Sequence, residues 1–317
     1  MAYVGIDLGG TQLRVAVADA EGRILIVARE PTHAEQGPDR VIDRIAAAVA
    51  GALAQAGVDR RRVRCLGIGL PGPVDPRRGL VHSPANLPGW VDLPLNQILT
   101  ERTGIHSYLH HDAHLAAFGE LHRGAGRGSR DMVYVTVSTG IGAGLVLGGE
   151  LYAGARGSAG EVGHIVIQVD GPRCNCGNRG CVEALASGTA IAREAREGLR
   201  RGARTRLRRI PAPGPTARDV DRAARAGDAF ARRVLEGAGG ALGVGLGTLV
   251  NLFNPEMIVI GGSVMNAGRV LTEPMRAAMA RSSFASARQG LRIVRPRLGA
   301  DVGLVGAIEW ARLRSRS

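Results

Sequence analysis

Lysine is absent from this chain, and all 41 basic residues are arginine. Several kinds of chemistry depend on a lysine side chain. Schiff-base catalysis needs its amine, a Walker P-loop needs it to bind phosphate, and a protein-kinase site needs it on a strand beside the phosphates. None of these can operate here in its usual form, so any phosphate group must be bound without an ammonium side chain.

Other features are scarce too. Aromatic residues make up only 3% of the chain, which leaves few platforms for stacking nucleic-acid bases. The net charge of +13 is typical of a nucleic-acid-binding protein, but the arginines are scattered except in residues 200–209. We therefore expect no nucleic-acid partner. No apolar run is long enough to cross a bilayer and no charged-then-apolar leader is present, which predicts a cytoplasmic protein without a membrane partner.

Two segments share one pattern: an apolar strand, a turn rich in glycine and threonine, and a second strand. They cover residues 3–18 and 132–147. The turns contain Gly10 and Thr11 in the first segment and Thr139 and Gly140 in the second. Glycine lets backbone N–H groups approach a phosphate closely. Each alone could be an ordinary hairpin, but the repetition predicts a duplicated architecture of two domains, for which 317 residues suffice, with both loops facing one cleft.

Two further turns follow apolar strands. The strand near residue 258 ends at Gly261 and Gly262, as expected for a ligand at the carboxyl edge of a parallel strand. Asp112 follows a brief strand and precedes an apolar pattern of helical spacing. It is either a functional carboxylate or simply the N-cap of that helix, and by itself the capping role is the more common one.

Three of the four cysteines lie between residues 174 and 181, and His164 lies upstream of them. Thiolates and a neutral imidazole are preferred ligands of tetrahedral zinc. The alternatives are a disulfide with a spare thiol, or three unrelated cysteines, but three is a poor number for a disulfide framework. The sequence predicts a closed structural zinc site made of His164, Cys174, Cys176 and Cys181.

Together these residues resemble the ROK family of sugar kinases, most of all its bacterial glucokinases. The resemblance covers nearly the whole chain. It rests on Asp7-x-Gly9-Gly10-Thr11, Pro71-Gly72-Pro73-Val74-Asp75, Asn86-Leu-Pro-Gly-Trp90, Asp112-Ala113, Ser138-Thr139-Gly140-Ile-Gly142-Ala-Gly144, Gly160-Glu161-x-Gly163-His164 and Cys174-x-Cys176-Gly177-x-x-Gly180-Cys181-x-Glu183.

The resemblance implies an α/β fold of the actin/hexokinase type, which is a duplicated ribonuclease H-like architecture with the active site in the interdomain cleft. We expect a small α/β domain over residues 1–112, joined by the C-terminal helix 303–317. A large α/β domain over residues 113–302 would carry the zinc-binding loop 164–183. The resemblance also implies a homodimer or homotetramer.

The implied reaction is ATP-dependent phosphorylation of a hexose at its 6-hydroxyl, most simply glucose, with Mg²⁺ and structural Zn²⁺. Asp112 would be the general base and Asp7 would orient the magnesium shell. The remaining residues would bind ATP (Gly9, Gly10, Thr11, Gln12, Thr139, Gly140, Gly261, Gly262) or the sugar (Asn86, His111, Asp112, Glu161, His164, Glu183). His164 would therefore bind both zinc and sugar.

The sequence departs from the family pattern at three positions. His111 and His114 replace asparagines beside the predicted base, and Gln12 replaces a lysine. Imidazole is bulkier than an amide and titrates near neutral pH, so the sugar preference stays open. The alternatives are an N-acylhexosamine kinase acting on N-acetylmannosamine or N-acetylglucosamine, and a sugar-sensing regulator without its DNA-binding domain. Whether polyphosphate can replace ATP is also open.

Overall fold

The computed structural model describes residues 1–84 and 86–315. The first sheet has the strand order β3-β2-β1-β4-β7. Strands β1, β2 and β3 form an antiparallel meander, and β1, β4 and β7 run parallel. The strands are β1 (Ala2–Leu8), β2 (Gln12–Ala18), β3 (Ile24–Pro31), β4 (Val63–Leu70) and β7 (Ser107–His111), with a small hairpin of β5 (Val74–Asp75) and β6 (Leu80–Val81) between them.

Both faces of this sheet are covered, which explains why β1 and β4 are almost continuously apolar. One face packs against α1 (Pro38–Gln55) and α2 (Leu95–Thr103), and the apolar residues at helical spacing in α1, Val41, Ile42 and Ile45, are buried. The other face packs against α9 through Leu304 and Ile308. The helices that accompany the first sheet are α1 (Pro38–Gln55), α2 (Leu95–Thr103), α3 (Asp112–Arg123) and α9 (Val302–Arg314).

The second sheet has the order β10-β9-β8-β11-β12. As in the first sheet, three consecutive strands form a meander, and two later strands add to the sheet beside the first strand of that meander. The predicted duplication is therefore confirmed. The strands are β8 (Met132–Val137), β9 (Ile141–Leu147), β10 (Glu150–Tyr152), β11 (Met257–Gly261) and β12 (Arg292–Val294). The helices are α4 (Val182–Ala186), α5 (Gly188–Arg200), α6 (Ala217–Arg225), α7 (Ala229–Phe253) and α8 (Arg269–Ser282).

The chain after the cysteine-rich loop forms two helices. The apolar spacing of residues 184–201 is typical of a single helix, but Ser187 separates α4 from α5. The Ser187 hydroxyl accepts a hydrogen bond from the Ala190 N–H at 3.1 Å and so caps α5. A serine in extended conformation supplies this acceptor at the start of a helix, and it outweighs the continuity of the apolar pattern.

The chain packs into two compact units. The first contains Met1–Tyr134, Gly144–Gly160 and the chain from Pro296 onward, and the second contains Val135–Ala143 and Glu161–Arg295. Helix α3, which follows the predicted boundary at residue 112, belongs to the first unit together with α9. The division into domains at 1–112 and 113–302 stays a prediction. Within the described ranges, no helix has both the length and the apolar character needed to cross a membrane.

Helix α9 lies directly against backbone on two sides. A Cβ atom at Gly67 of β4 would lie 1.9 Å from the carbonyl oxygen of Ala307. A Cβ atom at Gly306 would lie 1.8 Å from the carbonyl oxygen of Leu115 on α3. Only glycine permits such contacts, because backbone carbonyls cannot turn aside as flexible side chains do. The position of α9 in the first unit therefore depends on the absence of a side chain at Gly67 and at Gly306.

We predict that Gly67→Ala destabilises the protein by about 1–3 kcal/mol, because the methyl group would force α9 away from β4. Chemical denaturation followed by circular dichroism would measure the change. Gly51→Ala in α1 is the matched control, since a Cβ atom there meets nothing within 4 Å. That substitution should stabilise helix α1 by about 0.5–1 kcal/mol. Equal stability of the two variants would contradict the packing described here.

Candidate active-site residues and metal centre

The carboxyl ends of three parallel strands define one edge of the first sheet. Asp7 lies near the end of β1, Gly72 follows β4, and Asp112 follows β7. In open α/β sheets this edge is where ligands bind. The carboxylates of Asp7 and Asp112 are near enough that the charge of Asp112 contributes to raising the pKa of Asp7. The fold thus brings the two predicted carboxylates of the first unit together.

Asp7 is paired with Arg14, its cross-strand partner on β2. Burial raises the pKa of the Asp7 carboxyl, while the charge of Arg14 and its hydrogen bond oppose that rise. Gly303 at the start of α9 lies against the same carboxylate, because a Cβ atom there would be 3.0 Å from Oδ2. Sequence reasoning missed Arg14. Its signal was a charged residue in an otherwise apolar strand, directly opposite the aspartate.

The structure at the start of α3 corrects the alternative that Asp112 is the N-cap of this helix. The N-cap is His111 and not Asp112, because the His111 Nδ1 atom accepts the Ala113 N–H at 3.2 Å. Asp112 is the first helical residue, and its Oδ1 atom accepts the same N–H at 2.6 Å. The Asp112 side chain is 45% exposed, and the His111 Nδ1 atom lies 3.3 Å from Asp112 Oδ1. The Asp112 carboxylate is therefore both anchored and accessible.

The imidazole of His111 is confined from another side by the loop after β4. A Cβ atom at Gly72 would lie 2.6 Å from its Cδ2 atom. The loop backbone therefore lies against the edge of the ring that carries Cδ2 and Nε2. A residue larger than glycine at position 72 would collide with His111.

The first predicted phosphate loop is a closed turn between β1 and β2. The Gly9 N–H donates to the Gln12 carbonyl at 2.9 Å, and the Thr32 hydroxyl donates to the Gly9 carbonyl at 2.6 Å. Thr11 and Gln12 are exposed. Gly10 lies against Asn86, because a Cβ atom at Gly10 would be 2.7 Å from the Asn86 carbonyl oxygen. A predicted phosphate-binding residue and a predicted sugar-binding residue are thus neighbours.

The second predicted phosphate loop follows β8. Its backbone is tied to the start of α5, since the Gly188 N–H donates to the Ser138 carbonyl at 2.7 Å and the Thr189 hydroxyl to the Thr139 carbonyl at 2.9 Å. The Ser138 hydroxyl in turn accepts the Ser263 N–H at 3.1 Å. Four predicted nucleotide-binding residues are therefore gathered in the second unit: Thr139, Gly140, Gly261 and Gly262. Ser138 and Thr189, which connect them, were missed.

His164 and the three cysteines converge as predicted, with their candidate ligand atoms all within 4.8 Å of one another. Cys176 Sγ lies 3.7 Å from Cys181 Sγ, and Cys174 Sγ lies 3.6 Å from His164 Nδ1. With Zn–S bonds of about 2.3 Å and Zn–N bonds of about 2.0–2.1 Å, a tetrahedron has edges of about 3.8 Å between sulfurs and about 3.6 Å between sulfur and nitrogen. The donor set and its spacing therefore fit a zinc ion.

The loop that carries these ligands turns at Gly180, which has a φ of 65°. A Cβ atom there would lie 1.6 Å from the Gln168 carbonyl oxygen, so a larger residue would open the loop. The neighbouring Ile167 N–H donates to the Gly180 carbonyl at 2.9 Å. These contacts fold the segment back on itself and bring Cys181 beside Cys176.

Two predicted sugar-binding residues, Glu161 and Glu183, lie beside the candidate metal site, and a third, His164, is one of its ligands. The Nε2 atom of His164, on the side of the ring away from Cys174, lies 3.9 Å from Glu161 Oε2. Glu183 accepts the Ile141 N–H at 2.8 Å through Oε2. Its Oε1 atom lies 3.9 Å from Cys174 Sγ. Glu183 therefore joins the metal centre to the loop after β8.

A comparison with protein families identifies the family to which this chain belongs. The ROK family model matches residues 3–314, and the chain belongs to the ROK family. It is 37% identical to the glucokinase of Thermotoga maritima over 97% of this chain and 96% of that protein. It is 31% identical to the N-acetylglucosamine repressor of Escherichia coli, over 93% of this chain and 71% of the repressor.

Solved structures agree with this assignment. The ROK hexokinase from Thermus thermophilus is 40% identical, with a TM-score of 0.84 over 100% of this chain and 99% of that one. The ROK glucokinase from Streptomyces griseus, solved with glucose and AMPPNP, is 34% identical, with a TM-score of 0.83 over 99% of this chain and 100% of that one. The protein therefore has the actin/hexokinase-like fold of the ROK sugar kinases.

A buried histidine pair lies behind Asp112. His110 and His114 are 2% and 1% exposed. Burial lowers the pKa of His114 from 6.5 to about 4, and burial also lowers the pKa of His110 well below its usual value. Both side chains are consequently neutral in the folded protein at neutral pH.

We predict that acid destabilises the protein through His114. Between pH 6.5 and 4 the unfolded chain binds a proton at this residue while the folded protein does not. The stability contributed by His114 is thus fully present above pH 6.5 and falls by up to about 1.4 kcal/mol per pH unit as the pH drops toward 4. Denaturation at several pH values should show a shallower decline in His114→Gln. Parallel curves for the two proteins would contradict the prediction, because every other titrating group is shared.

Proposed function

We propose that this protein transfers the γ-phosphoryl group of ATP to the 6-hydroxyl of glucose. The observation that carries the proposal is the accessible Asp112 carboxylate, anchored at the start of α3 beside Asp7. The glucokinase relative aligned over nearly the whole chain, and the Streptomyces griseus glucokinase solved with glucose and AMPPNP, support this substrate pair.

Asp112 would accept the proton of the attacking hydroxyl. Phosphoryl transfer needs positioning, charge neutralisation and a group that accepts this proton. Its anchoring by the Ala113 N–H holds one oxygen in place, while the exposed part of the carboxylate can reach a substrate hydroxyl. A positioned carboxylate of this kind is suited to general base catalysis.

The nucleotide would be bound by backbone and hydroxyl donors, because the chain has no lysine. We assign this role to Gly9, Gly10, Thr11 and Gln12 in the first loop, and to Thr139, Gly140, Gly261 and Gly262 in the second unit. Mg²⁺ prefers carboxylate and water ligands. Asp7 is suited to orient the water molecules around Mg²⁺, because Arg14 holds the Asp7 carboxylate in one orientation. The ion would neutralise phosphate charge.

The sugar would be recognised by side chains that both donate and accept hydrogen bonds. Hydroxyl groups require such partners, and we assign Asn86, His111, Glu161, His164 and Glu183. The His164 ring has Nδ1 on the side of the cysteines and Nε2 on the side of Glu161. Zinc at Nδ1 would fix the tautomer, so that Nε2 carries the proton and can donate to a sugar hydroxyl. Zinc would thus orient His164, which binds the sugar, and would take no part in the reaction.

Two rivals are less well supported. The likeness to an N-acetylglucosamine repressor allows a sensor or an N-acylhexosamine kinase. A sensor has no need of a catalytic base or of two phosphate loops, whereas the exposed Asp112 carboxylate and the two glycine-containing turns support a kinase. A homodimer or homotetramer and a cytoplasmic location stay predictions, and whether polyphosphate can replace ATP stays an open question.

We predict that Asp112→Asn lowers kcat by about 100- to 10,000-fold, because an amide cannot accept the hydroxyl proton. Glucose binding, measured by calorimetry, should persist. Asp39→Asn is the matched control, since Asp39 is also in the first turn of a helix and is exposed, and it should leave turnover unchanged.

The same coupled assay, run with glucose, mannose, fructose and the N-acetylhexosamines, tests the substrate. The highest kcat/KM should be for glucose. An N-acetylhexosamine in first place would replace the glucose assignment, and full activity of Asp112→Asn would remove Asp112 as the base.

We predict that Cys176→Ser lowers zinc content below about one ion per chain, as loss of one of four ligands requires. The KM for glucose should rise more than the KM for ATP, because His164 and Glu183 would lose their common support. Elemental analysis and glucose calorimetry provide the readouts. Cys65→Ala is the control, as Cys65 is a buried thiol remote in sequence from the metal centre. Unchanged glucose affinity in a zinc-free Cys176→Ser protein would contradict the role of the metal.

A further inference from the structure

His114 lies two residues after Asp112 on α3 and is buried. Its Nε2 atom is 2.7 Å from the carbonyl oxygen of Ala159, and its Nδ1 atom is 3.2 Å from His110 Nδ1. Both of its ring nitrogens thus have polar neighbours in the first unit. In sequence alone, His114 was merely a departure from the family pattern.

The protonation of His114 follows from its partner. A carbonyl oxygen only accepts hydrogen bonds, so Nε2 of His114 must carry a proton. Neutral His114 then has an acceptor at Nδ1, and it is satisfied if His110 donates from its own Nδ1. In the other tautomer of His110, its Nδ1 atom accepts the His111 N–H at 2.9 Å. The lone pairs of the two Nδ1 atoms, of His110 and of His114, would then face each other. Either tautomer of His110 leaves the bond to Ala159 in place.

Two residues before Glu161, which is predicted to bind the sugar, the Ala159 peptide is held by two hydrogen bonds. Its carbonyl is bound by His114, and its N–H donates to the Ala153 carbonyl at 3.0 Å. Gly160, with a φ of 84°, follows, and the first unit ends there. Glu161 comes next and begins a short helical turn, in which its carbonyl accepts the His164 N–H at 3.0 Å.

We propose that His114 is a positioning residue for sugar binding, which it supports by fixing the Ala159 carbonyl two residues before Glu161. This inference rests on the proposed function. His114 need not touch the sugar, since it is buried. Without this bond, the Ala159 carbonyl loses the hydrogen bond that it accepts from His114, and the backbone that leads to Glu161 is held less firmly. Helix α3 would thus carry the base and also locate a sugar-binding carboxylate.

Two substitutions separate this role from simple packing. In His114→Gln, the amide nitrogen can occupy the place of Nε2 and donate to Ala159. In His114→Asn, the shorter amide reaches only the place of Nδ1. We expect the glutamine variant to retain the wild-type KM for glucose. The asparagine variant should raise it about three- to tenfold, the effect of losing one hydrogen bond, with the KM for ATP unchanged.

Glucose calorimetry without ATP, together with thermal melting of both variants, completes the experiment. Weaker glucose binding in a folded asparagine variant, with normal binding in the glutamine variant, supports the proposal. Equal behaviour of the two variants, or a wild-type KM in the asparagine variant, overturns it. A wild-type protein inactive on every hexose overturns the proposed function, and this inference with it, whereas an active wild type with an unaffected asparagine variant overturns this inference alone.

Discussion

The first unit depends on the direct packing of the last helix against backbone. Gly67 and Gly306 allow α9 to contact β4 and α3 at distances that no other residue permits. The same helix brings Gly303 against the carboxylate of Asp7. Both carboxylates of the candidate active site are consequently located by α9: Asp7 directly, and Asp112 through the contact between α9 and α3.

Helix α3 carries the Asp112 carboxylate together with the histidines that surround it. His111 caps the helix, Asp112 presents an accessible carboxylate, and His114 reaches the Ala159 carbonyl. His110 and His114 are buried and neutral, so they add hydrogen bonds near Asp112 without adding charge. Histidine in place of a smaller amide therefore suits this site because burial suppresses its titration at position 114.

The second unit combines helix packing with the cysteine and histidine cluster. Helix α7 lies against α8 nearly as closely as α9 does against its neighbours, since a Cβ atom at Gly243 would lie 2.2 Å from a backbone carbonyl oxygen of α8. The buried group in the loop segment around Cys174 and Cys181 is small by comparison. A metal ion is an efficient way to order such a segment. Through Glu183, which accepts the Ile141 N–H, the cluster is also connected to the loop after β8. Residues predicted to bind the sugar and the phosphates in this unit are therefore connected to one another.

Sequence alone determined the features that depend on short spacing. The convergence of Cys174, Cys176 and Cys181, the glycine turns and the duplicated hairpins follow from local geometry, and the family pattern extended them to the fold and its chemistry. Tertiary structure alone decided the pairing of Asp7 with Arg14, the bond from His114 to Ala159 and the approach of α9 to Gly67. These contacts depend on strand register and on how helices pack, and many join residues far apart in the chain. The break at Ser187 is a local exception, because one hydroxyl cap outweighed a continuous apolar pattern.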